Sequence, residues 1–213
     1  MLKLILVRHG HSTSNASGTY TGQMDAPLNE IGFLQAAQLA DYLCRTYHID
    51  AVYTSDLSRA VETVRPTAER LGLEMHLARE LRELDTGKWT GVPYAEVKER
   101  FAADFAAYVQ SIDAPCTGGE SLRKGCQRLL DCIERIAKKE DGKTVLVCSH
   151  ALCCRLFSAL AATGRVEDVT AHRPPDNAAV AVYEYENGTV RALLQNYTAH
   201  LDNATRTTLA GLV

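Results

Sequence analysis

The chain has 213 residues, 46% of them hydrophobic, which is enough to fill one core. Lys and Arg number 23 against 26 Asp and Glu, a net charge of -3; a surface built mainly for nucleic acid is excluded, and any anionic ligand must be held by a local cluster of cations. No stretch reaches the length of a membrane span, and the apolar N-terminus lacks the basic flank and cleavage site of a secretory signal.

The opening "MLKLILVRHGHSTSN" predicts a strand over Leu2, Leu4, Ile5, Leu6 and Val7, buried on both faces as in a parallel sheet, with Gly10 turning the backbone sharply after it. A polar loop runs to about Pro27. "LNEIGFLQAAQLADYL" is a predicted helix with Asn29 as N-cap and Ala36, Leu39, Ala40 and Leu43 on one face. "AVYTSD" reads as a second strand and "LSRAVETVRPTAERLG" as a helix, bent or restarted at Pro66. Met75 to Leu77 is a weak strand candidate, and "LRELDTGKWTG" a loop punctuated by Gly87 and Gly91. "PYAEVKERFAADFAAYVQ" is a predicted helix with Pro93 in its first turn. After a Gly-Gly turn, "GESLRKGCQRLLDCIERIAKKE" carries an apolar stripe of Leu122, Cys126, Leu129, Leu130, Ile133 and Ile136. "TVLVCS" is another buried strand with the helix "HALCCRLFSALAATG" behind it. "AAVAVYEY" and "TVRALLQNY" flank Asn187 and Gly188 as a hairpin, whose exposed edge could serve dimerisation. The alternation implies a three-layer α/β/α sandwich with a mostly parallel central sheet.

Seven cysteines show no paired C-x-x-C spacing, and Cys153 and Cys154 are adjacent on a predicted helix. They read as reduced, mostly buried thiols of a cytoplasmic protein, in which the sequons at Asn15, Asn187, Asn196 and Asn203 are chance matches.

Four places could carry chemistry. Arg8 and His9 close the first strand, and His150 closes the strand "VLVCS" in the same manner. Parallel strands would deliver both histidines to one edge of the sheet, where open α/β folds bind ligands. Arg59 lies near the start of a helix that follows a strand, and Glu83 in a Gly-punctuated loop. Taken singly, each is an ordinary surface or structural residue. Together they would suffice for phosphoryl transfer. Guanidinium forks grip phosphate oxygens, a neutral imidazole is a nucleophile, a protonated one adds a donor, and a carboxyl group can move the proton. No aspartate-rich magnesium motif and no G-x-x-x-x-G-K-[ST] loop is present.

"LVRHGHSTSN" resembles the signature of the histidine phosphatase superfamily, also called phosphoglycerate mutase-like. "YTGQMDAPLNEIGFLQAAQLADYL", "TSDLSRAVET", "LRELDTGKWTG", "GGES" and "VLVCSHA" resemble the later family segments, in the family's order, over about residues 3 to 160. The resemblance implies one domain over residues 1–213, with a helical insertion at about 92–118 covering the active site. It implies His9 as the nucleophile that becomes phosphohistidine, Arg8 and Arg59 as grips on the non-bridging oxygens, and His150 as completing the phosphate pocket. The helix after His150 would add backbone donors from its N-terminus. Glu83 would be the proton donor, with Asp85 the nearest competitor. Asn15 would also contact phosphate, and Ser12, Thr21, Gly22 and Ala151 complete the implied substrate-binding set. His11 departs from the family, many of whose members carry Glu or Gln there.

No metal and no cofactor is implied. The expected partner is a small phosphorylated metabolite, with no nucleic acid and no membrane. Cofactor-dependent phosphoglycerate mutases resemble the chain in "YTGQMDAPL" but generally carry a longer basic and aromatic insertion after the acid loop. The expected activity is therefore that of a small metal-independent phosphatase, resembling the broad-specificity and α-ribazole phosphatases. A mutase is the alternative, and a catalytically inactive binding protein on this fold the third reading. Substrate selection is expected from the loop around Thr21 and Gly22 and the segment between Trp89 and Ser121, with Arg82, Lys88 and Tyr94 as candidates for a second anionic or ring-bearing group.

Overall fold

Strand β1 (Leu2–Arg8) alternates its side chains between two cores. Leu4 and Leu6 enter one apolar cluster and Ile5 and Val7 the other, all at 1% exposure or less. A strand buried on both faces cannot show the polar alternation of a surface strand, which is why its sequence runs apolar from Leu4 to Val7, after Lys3 at its partly exposed start. The computed structural model describes residues 1–207, so the last six residues of the expected 1–213 domain lie outside the described part.

β1 lies inside a six-stranded sheet of order β3-β2-β4-β1-β5-β6, formed with β2 (Ala51–Thr54), β3 (Met75–Leu77), β4 (Thr144–Ser149), β5 (Val180–Glu186) and β6 (Thr189–Tyr197). β1, β4, β2 and β3 run parallel, and the β5–β6 hairpin adds antiparallel to β1. One face is covered by α2 (Glu30–Thr46) and α3 (Ser58–Leu71), through Leu39, Leu43, Ala60 and Val64. The other is covered by α6 (Leu122–Lys139) and α7 (Ala151–Thr163), through Leu129, Ile133, Leu156 and Phe157. The result is a mostly parallel α/β/α sandwich. Among the described residues no helix is long and apolar enough to cross a membrane.

Several local expectations hold. Asn29 caps α2, its side chain accepting from Gly32 N. Asn187 and Gly188, with φ of 48° and 80°, make the two-residue hairpin turn whose twist suits antiparallel strands. Others are corrected. α3 does not restart at Pro66 but continues through it; the buried face of Ala60, Thr63, Val64, Thr67 and Ala68 outweighs the roughly 3 kcal/mol that proline costs in a helix interior. The expected helix after Pro93 is two, α4 (Tyr94–Arg100) and α5 (Ala102–Gln110), broken at Phe101. Val97, Phe101 and Phe105 join Trp89 in a third, smaller cluster. Leu130 is only partly buried, at the margin of the α6 stripe. Gly10 is not among the residues with positive φ. It is needed for close approach instead, since a Cβ there would stand 3.0 Å from the Gly32 carbonyl oxygen.

Candidate active site

The parallel register places Arg8 opposite Ser149, so His9 and His150 emerge side by side, with His9 N donating to Ser149 O at 3.0 Å. β2 ends beside them, Ser55 N donating to Cys148 O at 3.0 Å. Three strand ends thus meet at one carboxyl edge. Above them lies a cavity of about 120 Å³ whose walls include Arg8, His9, Asn15, Thr21, Gly22, Arg59, Glu83 and Ala151.

His9 is buried and its Nδ1 lies 2.7 Å from the Gly10 carbonyl oxygen. A carbonyl can only accept, so Nδ1 carries the proton and Nε2 keeps its lone pair. Burial first, then Arg59 and Arg8, holds this imidazole well below its ordinary pKa and therefore neutral. The His150 ring lies 5.1 Å from that of His9, centroid to centroid. His150 is fully buried and is not part of the cavity wall. Its Nε2 pairs with Ser55 Oγ at 2.9 Å, while Nδ1 is sealed and without a partner. Burial and Arg59 keep it neutral too.

Arg8 and Arg59 are 2% and 1% exposed. Arg59 is oriented by donating to the carbonyls of Met24 (2.8 Å) and Gly22 (3.0 Å), Arg8 by donating to that of Pro175 (2.6 Å). Burial pulls both guanidinium pKa values down, that of Arg59 to about 10. Neither forms an ion pair with a carboxylate among the described residues. Two buried cations held only by carbonyl dipoles make a strong anion site.

Glu83 presents its carboxyl group to the same cavity. Oε1 accepts from Leu84 N (2.9 Å) and Leu152 N (3.3 Å), which leaves Oε2 to act on a ligand. The N-terminal amide of Leu152, expected among the phosphate donors, is therefore directed to the acid. Asp85 does not line the cavity; its Oδ1 accepts from Gly87 N at 3.0 Å and closes the loop. Gly22 has φ of 50°, and a Cβ on it would fall 2.4 Å from Thr86 Oγ1.

Not every candidate arrives. Ser12 is buried outside the wall, where it caps α1 (Thr13–Ser17). Arg82 is tied to Asp56 by two bonds of 2.6 and 2.7 Å, and Lys88 is exposed away from the cavity. Tyr94 does line it. His11 Nδ1 pairs with Asn29 Nδ2 at the start of α2 and points away from the wall.

Three further residues carried no local signal. Asn177, 1% exposed, donates from Nδ2 to the His9 carbonyl and to Asn15 Oδ1, both at 3.1 Å. Asn15 Oδ1 also accepts from Ser12 N and Ser12 Oγ, so its amide NH2 is the part turned to a ligand. Arg128 donates to the carbonyls of Glu80, Arg82 and Glu83 and to both oxygens of Glu120, clamping the acid loop. Arg155, on α7, lines the cavity wall. Among the described residues no three His, Cys, Asp or Glu side chains converge as metal ligands.

The chain is 35% identical over 203 residues to phosphoserine phosphatase 1 of Hydrogenobacter thermophilus, covering 94% of this chain and 95% of that one. It is 31% identical to the 2,3-bisphosphoglycerate-dependent phosphoglycerate mutase of Cytophaga hutchinsonii, with 86% and 88% covered. The solved α-ribazole phosphatase from Shigella flexneri superposes with a TM-score of 0.81 at 26% identity, covering 92% of this chain and 96% of that one. The family model "Histidine phosphatase superfamily (branch 1)" matches residues 4–198, so the strand ends and walls just described fall within it, and the chain belongs to that superfamily.

Proposed function

We propose that this protein is a metal-independent phosphatase that hydrolyses small phosphate monoesters through a phosphohistidine formed at His9 Nε2. The observation that carries the reading is the pair of buried guanidinium groups, without carboxylate partners, bordering a neutral imidazole in one small cavity with a carboxyl group. The positive charge that phosphoryl transfer calls on is supplied by Arg8 and Arg59, which hold the non-bridging oxygens with the Asn15 amide. His9 Nε2 attacks phosphorus, the bond from phosphorus to the ester oxygen breaks, and the proton of Glu83 passes to the departing oxygen. Water then attacks the phosphohistidine, Glu83 takes its proton, the phosphorus–nitrogen bond breaks, and inorganic phosphate and a regenerated His9 result. His150, buried behind the wall, packs its ring 5.1 Å from that of His9 and is held by Ser55 Oγ, so it supports the nucleophile without reaching the phosphoryl group itself. Residues 92–118 act as a cover, contributing Tyr94 and Tyr108 to the wall.

The names of the relatives support hydrolysis of a small ester, and the mutase relative supports the alternative in which a second substrate hydroxyl replaces water. One experiment tests both. The enzyme is assayed on an aryl phosphate in excess EDTA, trapped by rapid denaturation, and examined for acid-labile, base-stable phosphate on His9. Turnover in EDTA, and label lost in His9→Ala, are expected; a strict need for a divalent cation, or label on another residue, refutes the scheme. Interconversion of 3- and 2-phosphoglycerate faster than hydrolysis would establish the mutase.

A further inference from the structure

The cavity has a second cationic pole that the phosphoryl chemistry leaves unused. α7 begins at Ala151, and Ala151 and Arg155, one helical turn apart, both line the wall, as does Leu152. Arg155 Nε is spent on the carbonyls of Val169 (3.2 Å) and His172 (2.8 Å), which fixes the plane of the guanidinium. Its two Nη atoms make no hydrogen bond and no ion pair among the described residues, and neither is a sealed, unpartnered atom. They are unpartnered donors carried by a residue of the wall. The same cavity is also lined by Tyr20, Tyr94, Tyr108, Leu84 and Leu122. The charge of Arg155 bears on the phenols of Tyr20 and Tyr108.

Resting on the phosphatase reading, we infer that Arg155 receives a carboxylate on the leaving group, so that the preferred substrates are phosphate esters of small hydroxy acids. The two poles differ in a way that selects the ligands. The one at His9 has two buried guanidinium groups and suits a dianionic phosphoryl group. The one at Arg155 has a single guanidinium near the phenols of Tyr20 and Tyr108, which matches one monoanion held by two parallel N–H···O bonds. A second phosphate dianion would be left half neutralised there. Because Nε is already anchored, binding costs little ordering of the side chain, and a substrate lacking the carboxylate leaves the pole unanswered.

The test compares O-phosphoserine with phosphoethanolamine, which differ only in the carboxylate, alongside an aryl phosphate and propane-1,3-diol bisphosphate. Wild-type enzyme is expected to favour phosphoserine over phosphoethanolamine by about 10- to 100-fold in kcat/KM, the worth of a charge-assisted hydrogen-bonded pair. Arg155→Met should erase most of that ratio, mainly through KM, and lower phosphoserine hydrolysis at least about tenfold more than aryl phosphate hydrolysis. Arg155→Lys, which keeps the charge but not the fork, should retain part of the preference. Expressing the effect as a ratio to aryl phosphate removes any general damage from losing the Val169 and His172 contacts. A wild-type ratio near one, an equal loss on all substrates, or a bisphosphate preferred over phosphoserine overturns the inference and leaves the phosphatase reading standing. Absence of aryl phosphate hydrolysis overturns both.

Discussion

Glu83→Gln isolates the proton from everything else the side chain does. In the structure Oε1 accepts from the amides of Leu84 and Leu152, and a glutamine carbonyl oxygen accepts both bonds equally well. Position, cavity shape and loop anchoring should survive, so the loss is that of the proton alone. General acid catalysis is worth roughly 10²- to 10⁴-fold. That full loss is expected for alkyl phosphates, whose alkoxide cannot leave unprotonated, and less than about tenfold for nitrophenyl phosphate, whose phenolate can. Glu83→Ala should add the cost of two stranded amides, about 1–3 kcal/mol each, and so destabilise the protein where Gln does not. The assay is kcat/KM across a series of alkyl and aryl phosphates, with thermal melts of both variants. A loss of equal size along the whole series would refute acid catalysis by Glu83 and leave it a binding or structural role.

Arg128→Met breaks five hydrogen bonds that hold the acid loop and leaves Glu120, 23% exposed, without its partner. A stability loss of about 2–4 kcal/mol in denaturant titration and a fall in kcat exceeding the change in KM are expected; unchanged kcat would mean the clamp does not position Glu83. Gly22→Ala places a Cβ into Thr86 Oγ1 from a left-handed backbone and should cost about 1–3 kcal/mol and disturb the carbonyl that orients Arg59; a variant with wild-type Tm and KM would refute it. His9 and His150 are held below the ordinary value of 6.5 by burial. Below that pH the unfolded chain binds protons that the folded one refuses, so stability should fall as pH drops from 6.5 towards 5. The limit is about 1.4 kcal/mol per pH unit for each histidine. Denaturant midpoints at pH 7 and 5.5 measure it, and His9→Gln should flatten the slope; an equal slope in the variant would show that His9 does not contribute.

How much of this was legible depends on how local the cause was. The buried runs Leu2–Val7 and Val145–Cys148, the cap at Asn29 and the Asn187–Gly188 turn are written in neighbouring residues, so the strand ends carrying Arg8, His9 and His150 could be placed from the sequence. The parallel register then makes their meeting a consequence of topology. Glu83 and Asp85, two residues apart in one loop, could not be separated on the same grounds. Only the folded loop shows one carboxyl group facing the cavity and the other spent on Gly87.

What the sequence by itself determined was the order of the strands and of the helices that cover them, the sandwich, and the delivery of Arg8, His9 and His150 to one edge of the sheet, because hydrophobic period and turn chemistry act over a few residues; the places of Arg59, Glu83 and Asn15 were implied by the family resemblance. Tertiary structure alone decided which polar groups are already paired. Arg82 is consumed by Asp56 and Ser12 by its cap, whereas Arg155 keeps two donors open. Asn177 reaches His9 across 168 residues and Arg128 reaches Glu83 across 45. Hydrogen bonds are satisfied in space, and no pattern along the chain records which distant carbonyl or carboxylate will stand within 3 Å of a given donor.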